Sequence, residues 1–297
     1  MQGRRGPHTE HSVRRREWVA LACAVLLASL ALTARAGPPP PAPEPSSADS
    51  VTVGLWHFDE RSGPRVHDAG RFRLHGVAGP DARVEFGRFN SARSFAGTQQ
   101  AFVVVPYNPV MESPRAFTVE AWVYLNGLSD HELSAIAMRW SPTPNEQSWV
   151  LGVVGRKGAT TTSSFSWFNE AVAPFGPGRL VFAFRADRAS SLQRACSSST
   201  LPARRWVHVA ASVDGEVVRI YIDGRLDAQV AVANGIRRSV APLVIGNAVD
   251  PRHLTDVHGE LRQGPHGAPP WYAWNGLVDE LRISNVARKT FESTGAR

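Results

Sequence analysis

Carboxylates have the widest range of chemistry in this sequence, and Asp279 with Glu280 comes nearest to a catalytic pair. A retaining glycosidase needs two carboxyl groups about 5 Å apart, flanking the bond to be broken. Adjacent residues of a β-strand point to opposite faces of a sheet, so these two side chains do not form such a pair. Neither a G-x-S-x-G motif nor a phosphate-binding glycine motif occurs. The sequence therefore predicts no catalytic residues and a protein that is not an enzyme.

Three histidines, His253, His258 and His266, lie in one long stretch rich in Gly and Pro, residues 250–273. A zinc site has shorter, regular ligand spacing and a further ligand, so we expect these side chains to be solvated. The stretch is still a candidate for binding, because long loops on a rigid scaffold often carry function.

Aromatic side chains offer a different chemistry, because their faces stack on sugar rings while neighbouring amides bind the hydroxyl groups. The candidates for ligand contact lie in predicted loops, with two amides nearby: Trp167, Phe168, Trp271, Tyr272 and Trp274, with Asn169 and Asn275. The alternative for each ring is packing in the interior. Three other tryptophans fall in regular strands and are predicted to pack in the core or between sheets: Trp56, Trp122 and Trp206.

Short apolar runs broken by turn residues extend from Val51 to about Val286 and predict an all-β fold. Alternation is strict in FTVEAWVYL, residues 117–125. The dipeptides at 214–215 and 223–224 are both Asp-Gly, typical of two-residue hairpin turns, so 206–230 should form three strands. A dozen or so strands without a convincing helix predict a two-sheet antiparallel sandwich or jelly roll. The stretches that break this pattern are predicted loops: 141–148, 187–204 (with Cys196) and 250–273.

An uncharged segment, residues 18–34, follows a basic stretch and precedes Ala34-Arg35-Ala36, which fits a signal-peptidase site. We expect residues 1–36 to be a signal peptide. The alternative is an uncleaved membrane anchor, and in that case the protein contacts the membrane only through this segment. Either predicts an exported protein, secreted, periplasmic or at the cell surface. The rest divides into a proline-rich extended spacer, 37–50, a domain, 51–290, and a tail, 291–297.

The net charge of +7 favours a nucleic-acid binder only until the charges are located. Six arginines and two glutamates lie within residues 1–36, so this segment carries +4 of the total. The remainder is mildly basic and has no Lys/Arg run typical of a phosphate-binding surface. We therefore expect no nucleic acid among the partners.

Three motifs occur in order with consistent spacing and strand context: GLWHFDE (54–60), RWVHVAASVDGEVVRIYIDG (205–224) and WNGLVDELRISNVAR (274–288). In them the sequence resembles the laminin-G-like, concanavalin-A-like jelly-roll domains of exported bacterial proteins, over about 51–290. The resemblance implies an all-β, two-sheet antiparallel jelly-roll sandwich with about 12–14 strands. It also implies a binding or adhesive module. Glycoside hydrolases that share the fold carry E-x-D-x-x-E on one strand, and this chain lacks that motif.

The resemblance further implies one structural calcium ion, with Asp68 and Asp279 as ligands and Asp59 as a further one. Calcium binds about six to eight oxygens, so backbone carbonyls would complete such a site. Two positions depart from the family pattern: Ala96 replaces an aspartate, and the turn after Asp68 lacks the family's asparagines. The alternative is that Asp68 caps a turn and Asp279 pairs with an arginine.

These observations together predict a non-catalytic exported module that binds a glycan. Two alternatives stay open: a protein-interaction or surface-structural domain without a sugar site, and, less favoured, a glycan-active enzyme with an unrecognised site. The expected partner is therefore a glycan or an extracellular or surface protein. The sequence does not name the ligand, because this fold carries unrelated functions on variable loops.

Overall fold

Two antiparallel sheets of eight strands each make up the part of the chain that the structure describes. The structure is a computed structural model, and it describes Gly3 and residues 42–112, 115–141, 146–158, 168–186, 192–248, 250, 272–291 and 294. The predicted all-β, two-sheet sandwich is confirmed. Residues 42–297 form one compact unit.

The first sheet contains the hairpin strands and the last strand of the domain. Its order across the sheet is β14 (Arg225–Ala231), β13 (Val217–Ile222), β12 (Trp206–Val213), β7 (Phe117–Leu125), β16 (Asn275–Ser284), β5 (Ser91–Ala96) and β4 (Ala82–Phe86). The eighth strand, β1 (Thr52–Trp56), pairs with the second half of β16.

The second sheet packs against the first. Its order is β11 (Leu192–Thr200), β10 (Arg179–Arg185), β9 (Gln147–Val154), β8 (Leu133–Trp140), β15 (Leu243–Ile245), β6 (Val103–Val105), β3 (Gly76–Ala78) and β2 (Arg65–Val66). Two short helical segments are described besides the strands: a 3-10 turn, Pro109–Met111, and α1 (Asn169–Val172). The two sheets contain more strands than the 12–14 expected from the sequence. Strands as short as β2 and β3 are too short to show an alternating apolar pattern, so the sequence did not predict them.

Apolar alternation explains why the strands form where they do. In β7, residues 117, 119, 121 and 123 all enter the main core, as the sequence predicts. The facing strand β12 contributes Val207, Val209 and Ala211 to the same core. Large rings fill the space between the sheets, with the centroids of Phe117 and Trp149 5.0 Å apart. The opposite sides of β7 and β12 therefore form an outer face of the first sheet.

The hairpin turns follow their sequence signals. Asp223 and Gly224 both have positive φ, 48° and 73°, as a two-residue turn between twisted strands requires. In the other turn only Gly215 has positive φ, and the Asp214 carboxylate accepts the N–H of Val217 at 2.8 Å. The predicted three-strand unit β12–β13–β14 is confirmed.

The prediction of a loop over 187–204 is wrong at its centre, where β11 pairs with β10 at the edge of the second sheet. An edge strand that is partly exposed needs few apolar residues, so the polar sequence RACSSST gave no strand pattern. Cys196 therefore lies in a strand opposite Val181, and burial raises the pKa of its thiol to about 11. A thiol with so high a pKa is a poor nucleophile at neutral pH.

A buried ionic network lies at the centre of the outer face. Arg282 Nε on β16 donates to Glu120 Oε1 on β7 at 2.7 Å, and His208 Nε2 on β12 lies 3.0 Å from Glu120 Oε2. Burial by itself would raise the pKa of Glu120, but the hydrogen bonds and charges of His208 and Arg282 outweigh it and hold that pKa below its usual value. Glu120 thus joins the two strands that flank its own.

The segment before β1 covers part of this network. Ser46 N–H donates to Glu280 Oε2 at 2.6 Å, and Arg282 Nη1 donates to the carbonyl of Ser47 at 3.0 Å. The described part of the predicted spacer, residues 42–50, joins no strand, as expected for a proline-rich extended segment. However, the contacts at Ser46 and Ser47 attach the end of the predicted spacer to the domain.

The segment after β16 covers the remainder. The Arg288 guanidinium donates to both carboxylate oxygens of Asp49 at 2.7 Å, which links the two ends of the domain. The Phe291 ring packs 5.1 Å from the ring of His208 and 4.9 Å from that of Tyr221. Residue 291, predicted to begin a tail, is therefore part of the packed domain.

No helix among the described residues is long and apolar enough to cross a membrane. The predicted leader, residues 1–36, lies outside the described residues apart from Gly3. Cleavage or anchoring of this segment stays a prediction.

Replacing Glu120 with alanine should lower the free energy of unfolding by roughly 3–5 kcal/mol, because Arg282 would become a buried charge without a partner. Urea denaturation followed by tryptophan fluorescence measures the change. The matched control is Glu85→Ala, an exposed glutamate on β4 of the same sheet, which should shift the value by less than about 0.5 kcal/mol. Equal losses in the two variants would contradict the role given to Glu120.

Candidate functional site

Asp68 caps a turn and ties it to β1. Its Oδ1 accepts the backbone N–H groups of Leu55 at 2.8 Å and Gly70 at 2.7 Å, and its Oδ2 accepts that of Leu74 at 2.7 Å. A side chain at Gly70 would begin 2.8 Å from Asp68 Oδ1, so glycine is needed for this close approach. Because N–H donors face both oxygens, Asp68 does not fit a calcium ligand.

Asp279 has the opposite character, since it is fully buried and incompletely bonded. Its Oδ2 accepts the N–H of Phe89 at 3.0 Å, whereas its Oδ1 has no hydrogen-bond partner. Burial raises the pKa of Asp279 to about 8; the N–H of Phe89 opposes the rise and the charge of Glu280 adds to it. A buried oxygen without a donor is compatible with cation binding. Among the described residues, no arginine pairs with Asp279, which was the alternative role predicted for it.

Glu280 follows Asp279, but a bulge in β16 between residues 279 and 282 gives it a positive φ of 54°. Both carboxylates are buried, so the expectation that they point to opposite faces of a regular strand does not apply here. His57 Nδ1 lies 2.8 Å from Glu280 Oε1, and this contact raises the pKa of His57 against the opposing effect of burial. Glu280 is thus occupied by structural contacts.

Asp59 lies against the same turn as Asp279, residues 87–91. It accepts the side-chain amide of Asn90 at 3.0 Å and the N–H of Ser91 at 3.1 Å. A Cβ atom on Gly87 would lie 2.6 Å from Asp279 Oδ2, which keeps this turn close to β16. Among the described residues, no group of three or more His, Cys, Asp or Glu side chains could hold a metal ion. Since N–H donors also occupy both oxygens of Asp59, the side-chain fit for calcium rests on Asp279.

The predicted ligand-contacting aromatics do not form an exposed site in the described residues. Tyr272 is 3% exposed, and its ring packs 4.9 Å from Phe168 in a small core cluster. Trp274 is 0% exposed, and its Nε1 donates to the carbonyl of Leu277 at 3.2 Å. The structure thus argues against ligand stacking by either ring, because packing covers their faces. Trp167, Trp271 and the three loop histidines lie outside the described residues.

Half-exposed rings occur instead on the outer face of the first sheet. We call Trp206, Tyr124, Trp122 and Phe89 the aromatic row. Trp206 and Tyr124 are directly opposite each other on β12 and β7, with ring centroids 5.7 Å apart, and both are partly exposed. The rings of Trp122 and Phe89 are 6.2 Å apart. Sequence analysis assigned Trp122 and Trp206 to packing, although the alternation of β7 already placed its aromatic residues opposite its core face.

An apolar, an amide and a cationic side chain adjoin the aromatic row: Leu277, Asn275 and Arg88. Leu277 lies opposite Tyr124 in the sheet, and Asn275 lies two residues earlier on the same strand. The Arg88 guanidinium lies 4.8 Å above the Trp122 ring, a cation–π geometry that leaves Trp122 only 5% exposed. Asn275 is the one predicted ligand contact that lies beside this row in the described part of the chain.

Residues 96–292 match the family model of the concanavalin A-like lectin/glucanases superfamily, the laminin-G-like type. The match covers about two thirds of the chain, so the chain belongs to this family. It is also 28% identical over 126 residues to pappalysin-1 of Mus musculus, a match that spans 41% of this chain and 7% of pappalysin-1.

Solved structures share the fold at low identity. The binding domain of Paraclostridial Mosquitocidal Protein 1 has a TM-score of 0.54 at 13% identity, covering 82% of this chain and 51% of that one. Domain 4 of AbnA, a GH43 extracellular arabinanase from Geobacillus stearothermophilus, has a TM-score of 0.51 at 19% identity, covering 82% and 96%. A botulinum neurotoxin type C structure has a TM-score of 0.52 at 14% identity, covering 80% and 48%. The chain thus spans about half the length of the two toxin chains.

In buffer containing EDTA, the stability of the protein should fall as pH rises from about 5 to about 8. Asp279 has a folded pKa of about 8 against an ordinary 3.8, so its contribution is full below the lower value and is lost as pH rises through the upper one. The slope can reach about 1.4 kcal/mol per pH unit. Urea denaturation at several pH values should show a smaller slope in Asp279→Asn.

His57, whose raised pKa acts with the same sign, titrates in both proteins. The Asp279 charge is the smallest contribution to the raised pKa of His57, so the difference between the two proteins reports mainly on Asp279. The matched control is Asp130→Asn, an aspartate whose side chain is 71% exposed, and it should keep the wild-type slope. An unchanged slope in Asp279→Asn would show that Asp279 is already ionised in the folded protein.

Proposed function

We propose that this protein is an exported, non-catalytic module that binds a carbohydrate on the outer face of its first sheet. The observation that carries the proposal is the pair of half-exposed rings Trp206 and Tyr124, side by side on that face. Membership of a lectin/glucanase superfamily supports a role in binding. So do two relatives in fold: AbnA domain 4 was solved with arabinotriose, and the type C neurotoxin is described as interacting with ganglioside molecules.

The chemistry of the aromatic row fits a sugar. Two neighbouring rings offer apolar faces for C–H surfaces, and the Tyr124 hydroxyl and Trp206 indole N–H supply polar ends. Leu277 extends the apolar surface next to Tyr124, and the Asn275 side chain has both a donor and an acceptor for hydroxyl groups. Because the site is an open strand face, it accommodates an internal segment of a glycan chain.

The arrangement of carboxylates supports binding without catalysis. The three acids at the centre of the first sheet, Glu120, Asp279 and Glu280, are all buried. Glu120 is paired with Arg282 and His208, and Glu280 with His57 and the N–H of Ser46. An acid that attacks or protonates a glycosidic bond must reach the substrate, and these three do not reach the surface.

Export is part of the proposal and rests on the predicted leader, residues 1–36, together with the family to which the domain belongs. The protein would then meet its ligand outside the cytoplasm, in solution or at the cell surface. A protein-interaction module is the main alternative, and the experiment below separates the two roles.

We also propose a structural calcium ion, held by Asp279 together with backbone carbonyls. The support is the buried Asp279 Oδ1 without a donor, on a side chain that already contacts the 87–91 turn. When bound, a calcium ion would neutralise the buried carboxylate and fasten that turn to β16. Asp68 and Asp59 are left out of this proposal because N–H donors occupy both carboxylate oxygens of each residue.

Glycan binding is tested by screening residues 37–297 on a glycan array and measuring the best ligand by calorimetry. Trp206→Ala should weaken that ligand about fivefold or more, because it removes a stacking face worth at least about 1 kcal/mol. The matched control is Phe86→Ala, which removes a ring that is 94% exposed on the edge strand β4. Binding to no glycan, or equal losses in both variants, would favour the protein-interaction alternative.

Calcium is tested by adding it to chelator-treated protein and following thermal unfolding at pH 7. The melting temperature should rise with calcium concentration, since a ligand that binds only the folded state stabilises it. Asp279→Asn should abolish the rise, whereas Asp130→Asn should retain it. Absence of both a shift and binding heat in the wild-type protein would remove calcium from the proposal.

A further inference from the structure

A cavity with an open side lies between the edges of the two sheets, on other residues than the aromatic row. Its sides come from β4 of the first sheet, β3 of the second and the loop 61–64. It encloses about 560 Å³, which is within the usual range for small-molecule sites. Its lining includes three arginines, Arg61, Arg83 and Arg93, and no carboxylate.

Arg93 forms the buried end of the cavity and is 1% exposed. Its guanidinium is fixed by three backbone carbonyls: Nη1 donates to Ala82 at 3.2 Å, and Nη2 donates to Gly63 at 3.1 Å and Arg65 at 3.3 Å. Carbonyls position a guanidinium but carry no net charge to neutralise it. Arg93 Nε remains buried without any hydrogen-bond partner.

One carboxylate compensates this buried cation. Glu60 Oε2 accepts from Arg93 Nη2 at 3.3 Å, while Glu60 Oε1 accepts the N–H of His67 at 2.7 Å. Burial lowers the pKa of Arg93, and the charge of Glu60 opposes that change. The cavity and this neighbour together hold three arginines and one glutamate. A second anion would therefore be attracted to the cavity.

Arg61 and Arg83 lie at the exposed rim of the cavity. In the described part of the chain, neither side chain has a hydrogen bond or an ion pair. Each therefore keeps its full set of guanidinium donors, in the fork geometry that matches a carboxylate or a sulfate. The two unpaired cations at the rim and the fixed cation at the base all favour a negatively charged ligand.

The walls of the cavity are apolar between these charges. Pro64, Val77, Pro80 and Val84 line it, and Val77 is 43% exposed. An inorganic ion would use the arginines but leave these surfaces in contact with water. A ring that carries an acidic group would use both, because its C–H face can cover the proline and valine side chains.

We propose that this cavity binds the acidic group and ring of a charged sugar, a uronate or a sulfated residue. The inference deepens the proposed glycan-binding function and rests on it. The aromatic row would bind the neutral part of a chain, and the arginine cavity would give preference to chains with anionic residues. Carboxylate and sulfate share the chemistry that two arginine forks recognise, and the probes below distinguish them.

Calorimetry on residues 37–297 at 0.15 M salt tests the inference with four probes: trigalacturonate, its neutral methyl ester, a sulfated trisaccharide and sodium sulfate. The double variant Arg61→Gln/Arg83→Gln should weaken the better acidic trisaccharide at least tenfold. The matched control is Arg115→Gln/Arg225→Gln, which removes two exposed arginines away from the cavity and should change affinity less than twofold. The rim residues are exposed, so both variants should fold, as circular dichroism can verify.

Three results would overturn the inference: equal weakening in the control, equal affinity for the neutral ester, or inorganic sulfate binding as tightly as the sugars. The failure of the broader proposal is distinguishable. If neutral glycans bind and respond to Trp206→Ala, while acidic groups add nothing, glycan binding stands and the arginine cavity is rejected. If the rim variant alters only the binding of sodium sulfate, the cavity is an anion site unrelated to sugars and the inference is rejected.

Discussion

A bulge in β16 between Asp279 and Arg282 is the constraint on which the first sheet depends. On one side of the bulge β16 pairs with β5, and on the other side the same edge pairs with β1. β7 pairs along the opposite edge of both halves. The extra residue lets Arg282 meet Glu120 on the outer face while burying Asp279 and Glu280. A bulge is suited to this task because it changes side-chain direction without ending the strand.

The buried charges created there explain why residues 46–49 and 285–291, which flank the strands of the domain, pack against the first sheet. Water would weaken an ion pair that is left uncovered. A buried charge whose remaining polar atoms lack hydrogen-bond partners would destabilise the fold. Residues 46–49 and 285–291 provide both cover and partners, since Ser47 accepts from Arg282 and Asp49 receives Arg288. The part of the spacer that the structure describes is thus a component of the domain.

The inner faces of both sheets are buried in the core. Binding surfaces can therefore arise only on outer faces, at open edges or in loops. The outer face of the first sheet supplies neutral rings, whereas the open edge between β3 and β4 supplies concentrated positive charge. These surfaces use different residues and different chemistry. A family with one conserved core can therefore vary its ligands without changing its fold.

Sequence alone determined the sheet architecture, because alternation in β7 and β12 and the Asp-Gly turns are local signals. It also showed that the E-x-D-x-x-E motif of glycoside hydrolases with this fold does not occur. It could not decide burial at strand ends or edges: Tyr272 and Trp274 packed inside, and the polar strand β11 was read as a loop. Asp68 accepts from Leu55, 13 residues away, Arg93 donates to Ala82, 11 residues away, and Asp279 accepts from Phe89, 190 residues away. Such contacts exist only once the sheets have formed, so only the tertiary structure could show that Asp68 is satisfied, that Asp279 is not, and that three arginines meet in one cavity.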